Sequence, residues 1–382
     1  DEPIKIGGVP TITDVENMMR ILTELGCKIR RQKENVVIDS ANAASHEIPP
    51  RLTRELRSSV FMLGSVLTRF RRAKISYPGG CDIGLRPIDL HLSGLKRLGV
   101  KITEEGGYID CVADKLVGAE ILLDFPSVGA TENILLAAVL AKGKTTVENA
   151  AAEPEICDLA DFLREMGAQI EGDGTDTITV MGVKELHGAV HRVIPDRIEA
   201  GTFMTAAAIT GGDILLENVK EEHLKPVIAK LAECNVKTEV TAEGLRVYRK
   251  GKLQPIQLKT MPYPGFPTDM QAQFMSLMAV AKGTSVITET VFENRFMHVG
   301  ELQRMGADIK IDSRSAVIEG VEGMTGAKVR ATDLRAGAAL ILSALAAKGD
   351  TEISDIYHIE RGYDRIDEKL RKLGANIRRE TE

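Results

Sequence analysis

The chain has 382 residues, of which 43% are hydrophobic, so it can bury large cores and is not a disordered polypeptide. The 49 basic and 55 acidic residues give a net charge of −6, which argues against nucleic acid as a partner. No run approaches the roughly 20 apolar residues of a membrane-spanning helix, so no membrane association is expected.

One motif closes a predicted helix six times along the chain. It consists of leucine or methionine, glycine, a small residue, a variable residue and isoleucine, with a looser fourth copy over residues 234–238. The glycine positions are Gly26, Gly99, Gly167, Asn235, Gly306 and Gly374. These positions are 73, 68, 68, 71 and 68 residues apart. Glycine suits the end of a helix because the next residue commonly needs a positive φ, and asparagine is the usual substitute. The chain is therefore predicted to be a series of six related units.

A second helix belongs to each unit and is small or apolar on nearly every side, which predicts burial. In chain order these helices are predicted over residues 54–70, 130–143, 199–212, 268–283 and 333–349. The helix that the glycine motif closes is amphipathic, and short β-branched runs separate the helices. Each unit is therefore predicted to be a buried helix, a strand, an exposed helix, a strand, a turn and a strand.

The number of units predicts the domain organisation. Three units each give two domains, residues 1–192 and 193–382, and small ligands commonly bind in a cleft between domains. Six exposed helices but five buried ones are predicted, and six units of about 70 residues would need about 418 residues. We therefore expect the chain to lack an amino-terminal element.

A glycine-rich loop over residues 77–89 interrupts the repeat and carries Cys81. Such a loop is where a lid over a site would be placed, and the nearby Arg86 would favour the thiolate. The alternative is a surface loop with an incidental cysteine. The five cysteines include no Cys-x-x-Cys pair, which predicts reduced thiols in a cytoplasmic protein.

Three arginines and one aspartate lie near predicted helix starts. Arg57, Arg335 and Arg361 could bind a phosphate or a carboxylate, although each could equally form a solvated ion pair. Asp269 is either an N-cap residue or a general base for a hydroxyl. The seven histidines show no metal-ligand spacing, and no phosphate or dinucleotide glycine motif is present, so no metal and no cofactor are expected.

Six segments resemble the UDP-N-acetylglucosamine 1-carboxyvinyltransferases, a family of enolpyruvyl transferases. The matching segments are residues 78–91 (PGGCDIGLRPIDLH), 125–131 (FPSVGAT), 148–156 (ENAAAEPEI), 263–273 (YPGFPTDMQAQ), 288–298 (TETVFENRFMH) and 357–363 (YHIERGY). The resemblance covers essentially the whole chain. It implies a two-domain inside-out α/β barrel, with three units in each domain and an interdomain cleft.

The resemblance also implies the reaction. The enolpyruvyl group of phosphoenolpyruvate would be transferred to the 3′-hydroxyl of UDP-N-acetylglucosamine with release of phosphate, the first committed step of peptidoglycan synthesis. Addition and then elimination would pass through a tetrahedral ketal. A cytoplasmic monomer with these two small-molecule substrates is expected, without a cofactor.

Site residues follow from the resemblance at the matching positions. Asp269 would be the base, and Cys81 the proton donor that also adds to phosphoenolpyruvate and is alkylated by fosfomycin. Phosphoenolpyruvate would be held by Arg57, Arg86, Arg335 and Arg361. The nucleotide sugar would be held by Arg57, Arg86, Pro87, Ile88, Asp89, Leu90, Phe125, Pro126, Ser127, Val128, Gly129, Thr268, Asp269 and Val291.

Several alternatives stay open. The amino-terminal Lys-Asn pair of the family has no counterpart, which leaves a truncated form or a non-catalytic paralogue that binds the nucleotide sugar. The related transferase acting on shikimate 3-phosphate lacks the Pro-Gly-Gly-Cys loop, so Cys81 argues against it. An RNA-end cyclase built from similar repeats would need a basic groove, which the net charge of −6 disfavours.

Overall fold

Two compact units make up the protein in a computed structural model that describes residues 2–78 and 88–380. The first unit contains residues 2–78 and 88–194, and the second contains residues 195–380. Both are mixed α/β structures made of helices and small sheets. The assignment of residues 1–192 and 193–382 to two enolpyruvyl transferase domains stays a prediction.

The first unit packs its helices against three small sheets. Its strands are β1 (Ile4–Gly7), β2 (Lys28–Gln32), β3 (Asn35–Asp39), β4 (Arg72–Ser76), β5 (Lys101–Glu105), β6 (Tyr108–Val112), β7 (Glu120–Leu122), β8 (Lys144–Glu148), β9 (Gln169–Glu171), β10 (Thr177–Met181) and β11 (Val190–Arg192). Its helices are α1 (Thr13–Glu24), α2 (Pro50–Glu55), α3 (Met62–Phe70), α4 (Asp89–Arg97), α5 (Val128–Ala138) and α6 (Pro154–Glu165). The strand orders are β11-β1-β3-β2, β4-β6-β5 and β7-β8-β10-β9.

The second unit repeats this arrangement. Its strands are β12 (Asp213–Leu216), β13 (Val236–Thr241), β14 (Gly244–Arg249), β15 (Gln257–Lys259), β16 (Thr284–Thr288), β17 (Asp308–Asp312), β18 (Ser315–Glu319), β19 (Lys328–Arg330) and β20 (Glu352–Ser354). Its helices are α7 (Arg197–Thr210), α8 (Glu221–Glu233), α9 (Gln271–Met278), α10 (Val299–Arg304), α11 (Leu334–Ala346), α12 (Tyr357–Glu360) and α13 (Ile366–Lys372). The strand orders are β12-β14-β13, β15-β16-β18-β17 and β19-β20.

The repeated glycine motif has the predicted conformation. The φ angle is 102° at Gly26, 94° at Gly99, 97° at Gly167, 90° at Gly306 and 99° at Gly374, and it is 67° at the substitute Asn235. A left-handed residue lets the chain turn out of the helix and enter a hairpin. The sequence period is therefore a period of helix-ending turns: each leads into a strand except that at Gly374, after which residues 375–380 form no strand.

The buried helices are central to each unit. In the second unit α7, α9 and α11 pack against one another, and all eight residues of α9 are buried. In the described part of the first unit, α3 and α5 occupy the corresponding position. Small side chains allow this close packing, since a Cβ on Gly64 of α3 would lie 2.4 Å from the backbone oxygen of Asn133 in α5.

Three of the predicted buried helices differ from the structure. The helix predicted over 130–143 is α5, which begins at Val128 and ends at Ala138, so that its Ala-Lys-Gly signal also lies beyond the helix. The segment 54–70 is divided into α2, a 3₁₀ turn over Arg57–Phe61 and α3, because Leu56 is extended with φ −131° and ψ 111°. The segment 268–283 begins as a 3₁₀ turn over Thr268–Met270, and α9 then ends at Met278. Residues 279–283 form a turn, with φ 120° at Gly283, so the Ala-Lys-Gly signal lies beyond the helix rather than within it.

The two cores differ in composition. In the second unit six methionine side chains are fully buried, namely Met204, Met270, Met275, Met278, Met305 and Met324. The buried core of the first unit consists of leucine, isoleucine, valine, alanine and cysteine. No helix among the described residues is long and apolar enough to cross a membrane.

Asn133 is a buried polar link between the helices of the first unit. Its Oδ1 accepts a hydrogen bond from the Gly64 amide at 2.7 Å, and its Nδ2 donates to the Val60 carbonyl at 3.1 Å. We expect Asn133→Ala to lower the free energy of unfolding by about 1–3 kcal/mol, because the buried partners would lose their hydrogen bonds. Urea denaturation would measure the change. The exposed Asn42→Ala is the matched control, with an expected change within about 0.5 kcal/mol; equal effects of the two would contradict the link.

Candidate active site

Asp269 lies between two arginines in the second unit. Its Oδ1 accepts a hydrogen bond from Nη2 of Arg295 at 2.9 Å. Its Oδ2 accepts from Nε of Arg335 at 3.2 Å and from Nη2 at 3.0 Å. The N-cap interpretation of Asp269 is therefore wrong, because both carboxylate oxygens bind guanidinium groups from other segments.

The two guanidinium groups decide the charge of Asp269. Burial alone would raise the pKa of the carboxyl, but Arg335 and Arg295 together hold it well below its usual range. The side chain of Asp269 keeps 39% of its surface exposed, whereas that of Arg295 is 5% exposed. Burial would lower the pKa of Arg335, but Tyr363 and Asp269 raise it above its usual value. The site therefore presents an ionised, partly exposed carboxylate beside two cations, of which Arg295 is buried and Arg335 is 12% exposed.

A network of neutral side chains supports Asp269 and Arg335. Nε2 of Gln273 donates to the backbone oxygen of Asp269 at 2.8 Å and to the hydroxyl of Tyr363 at 3.3 Å. The hydroxyls of Tyr363 and Thr202 are 2.8 Å apart. The Arg335 guanidinium carbon lies 5.4 Å from the centre of the Tyr363 ring, within cation–π range. This network fixes both the acidic residue and one of its cations.

The structure connects Thr268 and Val291 through one carboxylate. Glu289 directly follows β16 and accepts hydrogen bonds from the Thr268 hydroxyl and from the Val291 amide, each at 2.8 Å. Glu289 is 1% exposed. Two of the sequence-predicted ligand residues therefore lie next to each other around a buried side chain.

In the first unit the predicted ligand residues lie at two neighbouring helix starts. Ile88 precedes α4, which begins at Asp89 and Leu90, and α5 begins at Val128 and Gly129 with Ser127 as its N-cap. The Ser127 hydroxyl accepts a hydrogen bond from the Ala130 amide at 3.3 Å, and Phe125 and Pro126 precede it in the chain. A Cβ on Gly129 would lie 3.0 Å from Cε1 of His91 in α4. The first turns of α4 and α5 are therefore adjacent, and helix starts favour anions.

The remaining predicted site residues lie at other places in the chain. Arg57 begins the 3₁₀ turn after α2. Arg361 follows the end of α12 instead of starting an element, because that helix has only four residues. Cys81, Arg86 and Pro87 lie outside the described residues.

Sequence reasoning missed Arg295, Glu289 and Gln273 as members of the site. All three lie within matching segments, 288–298 or 263–273. Gln273 follows Asp269 at a helical spacing and Glu289 shortly precedes Val291, so local spacing could have suggested these two, whereas nothing local relates Arg295 to Asp269. A buried arginine needs a buried acid, and this rule would have selected Arg295 only once its burial was known. Within residues 2–78 and 88–380, no group of three or more His, Cys, Asp or Glu side chains could hold a metal ion.

The four described cysteines are free thiols and should react slowly. Burial raises the pKa of Cys27, raises that of Cys111 and Cys234 to about 12, and with Asp173 raises that of Cys157 to about 11. We expect iodoacetamide at pH 7.5 to label these four more than about tenfold more slowly than free cysteine, since the thiolate is the reactive form. Peptide mass spectrometry would follow the labelling, with urea-unfolded chain as the control. Fast labelling of Cys111 in the folded protein would contradict the expectation.

Comparison with known proteins places the chain among enolpyruvyl transferases. A family model described as EPSP synthase (3-phosphoshikimate 1-carboxyvinyltransferase) matches residues 1–370. UDP-N-acetylglucosamine 1-carboxyvinyltransferase 1 of Caldanaerobacter subterraneus subsp. tengcongensis is 58% identical over 97% of this chain and 89% of the relative. UDP-N-acetylglucosamine 1-carboxyvinyltransferase 2 of Carboxydothermus hydrogenoformans is 55% identical over 98% of this chain and 90% of the relative.

Solved structures give the same fold. The enolpyruvyl transferase NikO from Streptomyces tendae superposes with a TM-score of 0.89 and 28% identity, over 99% of this chain and 90% of that one. EPSP synthase from Acinetobacter baumannii has a TM-score of 0.73 at 21% identity, over 97% of this chain and 90% of that one. The second likeness supports the fold alone.

Proposed function

We propose that this chain, which belongs to the EPSP synthase family of enolpyruvyl transferases, makes enolpyruvyl-UDP-N-acetylglucosamine. Within that family it belongs to the UDP-N-acetylglucosamine 1-carboxyvinyltransferases. The substrates are phosphoenolpyruvate and UDP-N-acetylglucosamine, and phosphate is released. The observation that carries the proposal is the Asp269 carboxylate bound by Arg295 and Arg335, which supplies the base and cationic groups that this reaction needs.

The reaction requires a bond to form at the sugar oxygen and another to break at phosphate. The 3′-oxygen adds to C2 of phosphoenolpyruvate as its proton leaves, and C3 gains a proton to give the ketal. Loss of a proton from C3 then expels phosphate. Asp269 is the base for the hydroxyl, and it is ionised and partly exposed before substrate arrives.

Arg335 links the base to the anionic substrate. Both guanidinium contacts of Arg335 to Asp269 go to Oδ2, and a fork of this kind also suits phosphate. A phosphate that draws Arg335 away would leave Asp269 with Arg295 alone, and the carboxylate would become a stronger base. Binding of phosphoenolpyruvate would thereby prepare Asp269 for its proton.

The remaining assignments complete the proposed site. Arg57, Arg86 and Arg361 are, like Arg335, proposed ligands of phosphoenolpyruvate. The residues at the starts of α4 and α5 are proposed ligands of the nucleotide sugar, because the first turns of helices favour its phosphates. Thr268, Asp269 and Val291 are proposed ligands of the same substrate from the resemblance to the family. Cys81 is the proton donor to C3 and the thiol that phosphoenolpyruvate and fosfomycin modify. The protein is further proposed to act as a monomer in the cytoplasm, where its thiols would stay reduced.

Phosphate release tests the proposal. The protein should release phosphate from phosphoenolpyruvate when UDP-N-acetylglucosamine is present, and should not do so with shikimate 3-phosphate. Mass spectrometry of the nucleotide sugar should show the added enolpyruvyl group. Release with shikimate 3-phosphate would support the related transferase instead.

A second candidate is a non-catalytic protein that binds the nucleotide sugar. Calorimetric binding of UDP-N-acetylglucosamine without phosphate release would favour it. The arrangement of Asp269, Arg295 and Arg335 argues against it, because a protein that only binds the sugar needs neither a base for the hydroxyl nor cations for phosphoenolpyruvate.

A further inference from the structure

Glu289 is a buried carboxylate whose hydrogen-bonding capacity is filled by protein groups. Its Oε1 accepts from the Thr260 hydroxyl at 2.8 Å, the Val291 amide at 2.8 Å and the Phe292 amide at 3.2 Å. Its Oε2 accepts from the Thr268 hydroxyl at 2.8 Å. A carboxylate offers about four such sites, so Glu289 is satisfied without any ligand.

The four donors come from three separate segments. Thr260 follows β15, Thr268 begins the turn that carries Asp269, and Val291 and Phe292 follow β16. Thr260 strengthens the link, because its hydroxyl accepts from the Thr290 amide at 2.9 Å and its carbonyl accepts from the Thr290 hydroxyl at 2.6 Å. One side chain therefore sets the distance between the segment of Asp269 and the turn of Val291.

Glu289 can act on ligands only through these neighbours. It is 1% exposed, and its oxygens are already occupied, which excludes it as a base. Thr268 and Val291, by contrast, are both among the residues proposed to bind the nucleotide sugar. A substitution of Glu289 would therefore alter the positions of Thr268 and Val291 relative to each other.

We propose that Glu289 is a positioning residue for UDP-N-acetylglucosamine, holding the Thr268–Asp269 segment and the Val291 turn at the separation that the nucleotide sugar requires. The inference rests on the proposed function. It assigns Glu289 to the binding of one substrate and gives it no part in the binding of phosphoenolpyruvate.

Removal of the Glu289 carboxylate should change the KM for UDP-N-acetylglucosamine but not the KM for phosphoenolpyruvate. For Glu289→Ala we expect the KM for UDP-N-acetylglucosamine to rise about 10- to 100-fold, since four hydrogen bonds are lost. The KM for phosphoenolpyruvate should stay within about threefold. Calorimetry should show the same weakening of nucleotide-sugar binding.

Glu289→Gln distinguishes position from charge. The amide oxygen can keep the contacts of Oε1, and the amide nitrogen can donate to the Thr268 hydroxyl, so Glu289→Gln should recover most of the affinity lost in Glu289→Ala. Loss in Glu289→Gln as large as in Glu289→Ala would overturn the positioning role. Glu301→Ala is the control, because Glu301 also accepts a backbone hydrogen bond, from Arg330 at 3.0 Å, and should leave both KM values unchanged.

Thr260 keeps the inference testable if Glu289→Ala does not fold. Thr260→Val removes the hydroxyl that binds Glu289 and Thr290, whereas Thr260→Ser keeps it, so the valine variant alone should raise the KM for the nucleotide sugar. Equal changes in both KM values would mean a general structural role and would overturn the inference. If the unmodified protein turns over but these variants bind normally, the inference alone fails; if the unmodified protein neither binds the sugar nor turns over, the proposed function fails with it.

Discussion

Asp269→Asn is expected to lower kcat for phosphate release by about 10²–10⁴-fold, the usual contribution of a general base. The amide nearly preserves the size of the side chain but cannot take the proton of the sugar hydroxyl. It also offers an N–H group to Arg295 or Arg335, both of which are donors. Steady-state phosphate release with both substrates at saturation would measure the loss.

Asp308→Asn is the matched control for Asp269→Asn, because Asp308 is an exposed acid of the same unit. It should keep full activity. Calorimetric binding would separate chemistry from affinity, since Asp269 is also a proposed ligand of the sugar. A kcat within about tenfold of the unmodified protein would exclude Asp269 as the base.

The pH dependence gives a second view of Asp269. Its pKa is lowered in the folded protein, so the ion pairs contribute stability above the ordinary pKa of an aspartate. That stability is lost progressively as the pH falls from the ordinary pKa through the lowered value. We therefore expect Asp269 of the unliganded protein to stay ionised throughout pH 5–8, and an acid limb of kcat/KM in this range would belong to another group.

Arg335→Ala is expected to lower kcat/KM for phosphoenolpyruvate about 10²–10³-fold, because it removes a buried cation and leaves Asp269 with one partner. Arg335→Lys keeps the charge but loses the planar fork that binds Asp269 through two nitrogens. We expect it to recover only part of the activity. Initial rates at varied phosphoenolpyruvate would show both effects.

Arg330→Ala is the control for Arg335. Arg330 precedes α11 and its side chain is 67% exposed, so its removal should change kcat/KM by less than about twofold. If Arg335→Ala raised the KM for UDP-N-acetylglucosamine as much as the KM for phosphoenolpyruvate, Arg335 would act on the site as a whole. That result would contradict its assignment to phosphoenolpyruvate.

The fold was largely predictable because its turns are encoded locally. Gly26 and its counterparts each need a positive φ, and that need is visible in a few residues of sequence. The break at Leu56 was not visible, since Leu56 is fully buried and tertiary packing overrides its helical preference. The predicted end of α9 was too late, because an Ala-Lys-Gly sequence can form either the last turn of a helix or the turn that follows it.

The site was predictable only in part. Asp269 and Arg335 were identified separately, but nothing in the sequence shows that they form an ion pair across 66 residues. Arg295 and Glu289 have a clear role only when their burial is known, because exposed arginines and glutamates are ordinary surface residues. The residues that hold a site in position are therefore harder to find than those that touch the ligand.

The methionine-rich core of the second unit makes that half of the protein chemically distinct. Its six fully buried thioethers are shielded from solvent in the folded state, and conversion to a polar sulfoxide would disrupt the packing that shields them. Peroxide would reach these six side chains only when the second unit opens, whereas Met181, Met261 and Met297 are exposed in the folded protein. The rate of sulfoxide formation at these six residues, followed peptide by peptide, would thus report the opening of the second unit, a measure of local stability that requires no added label.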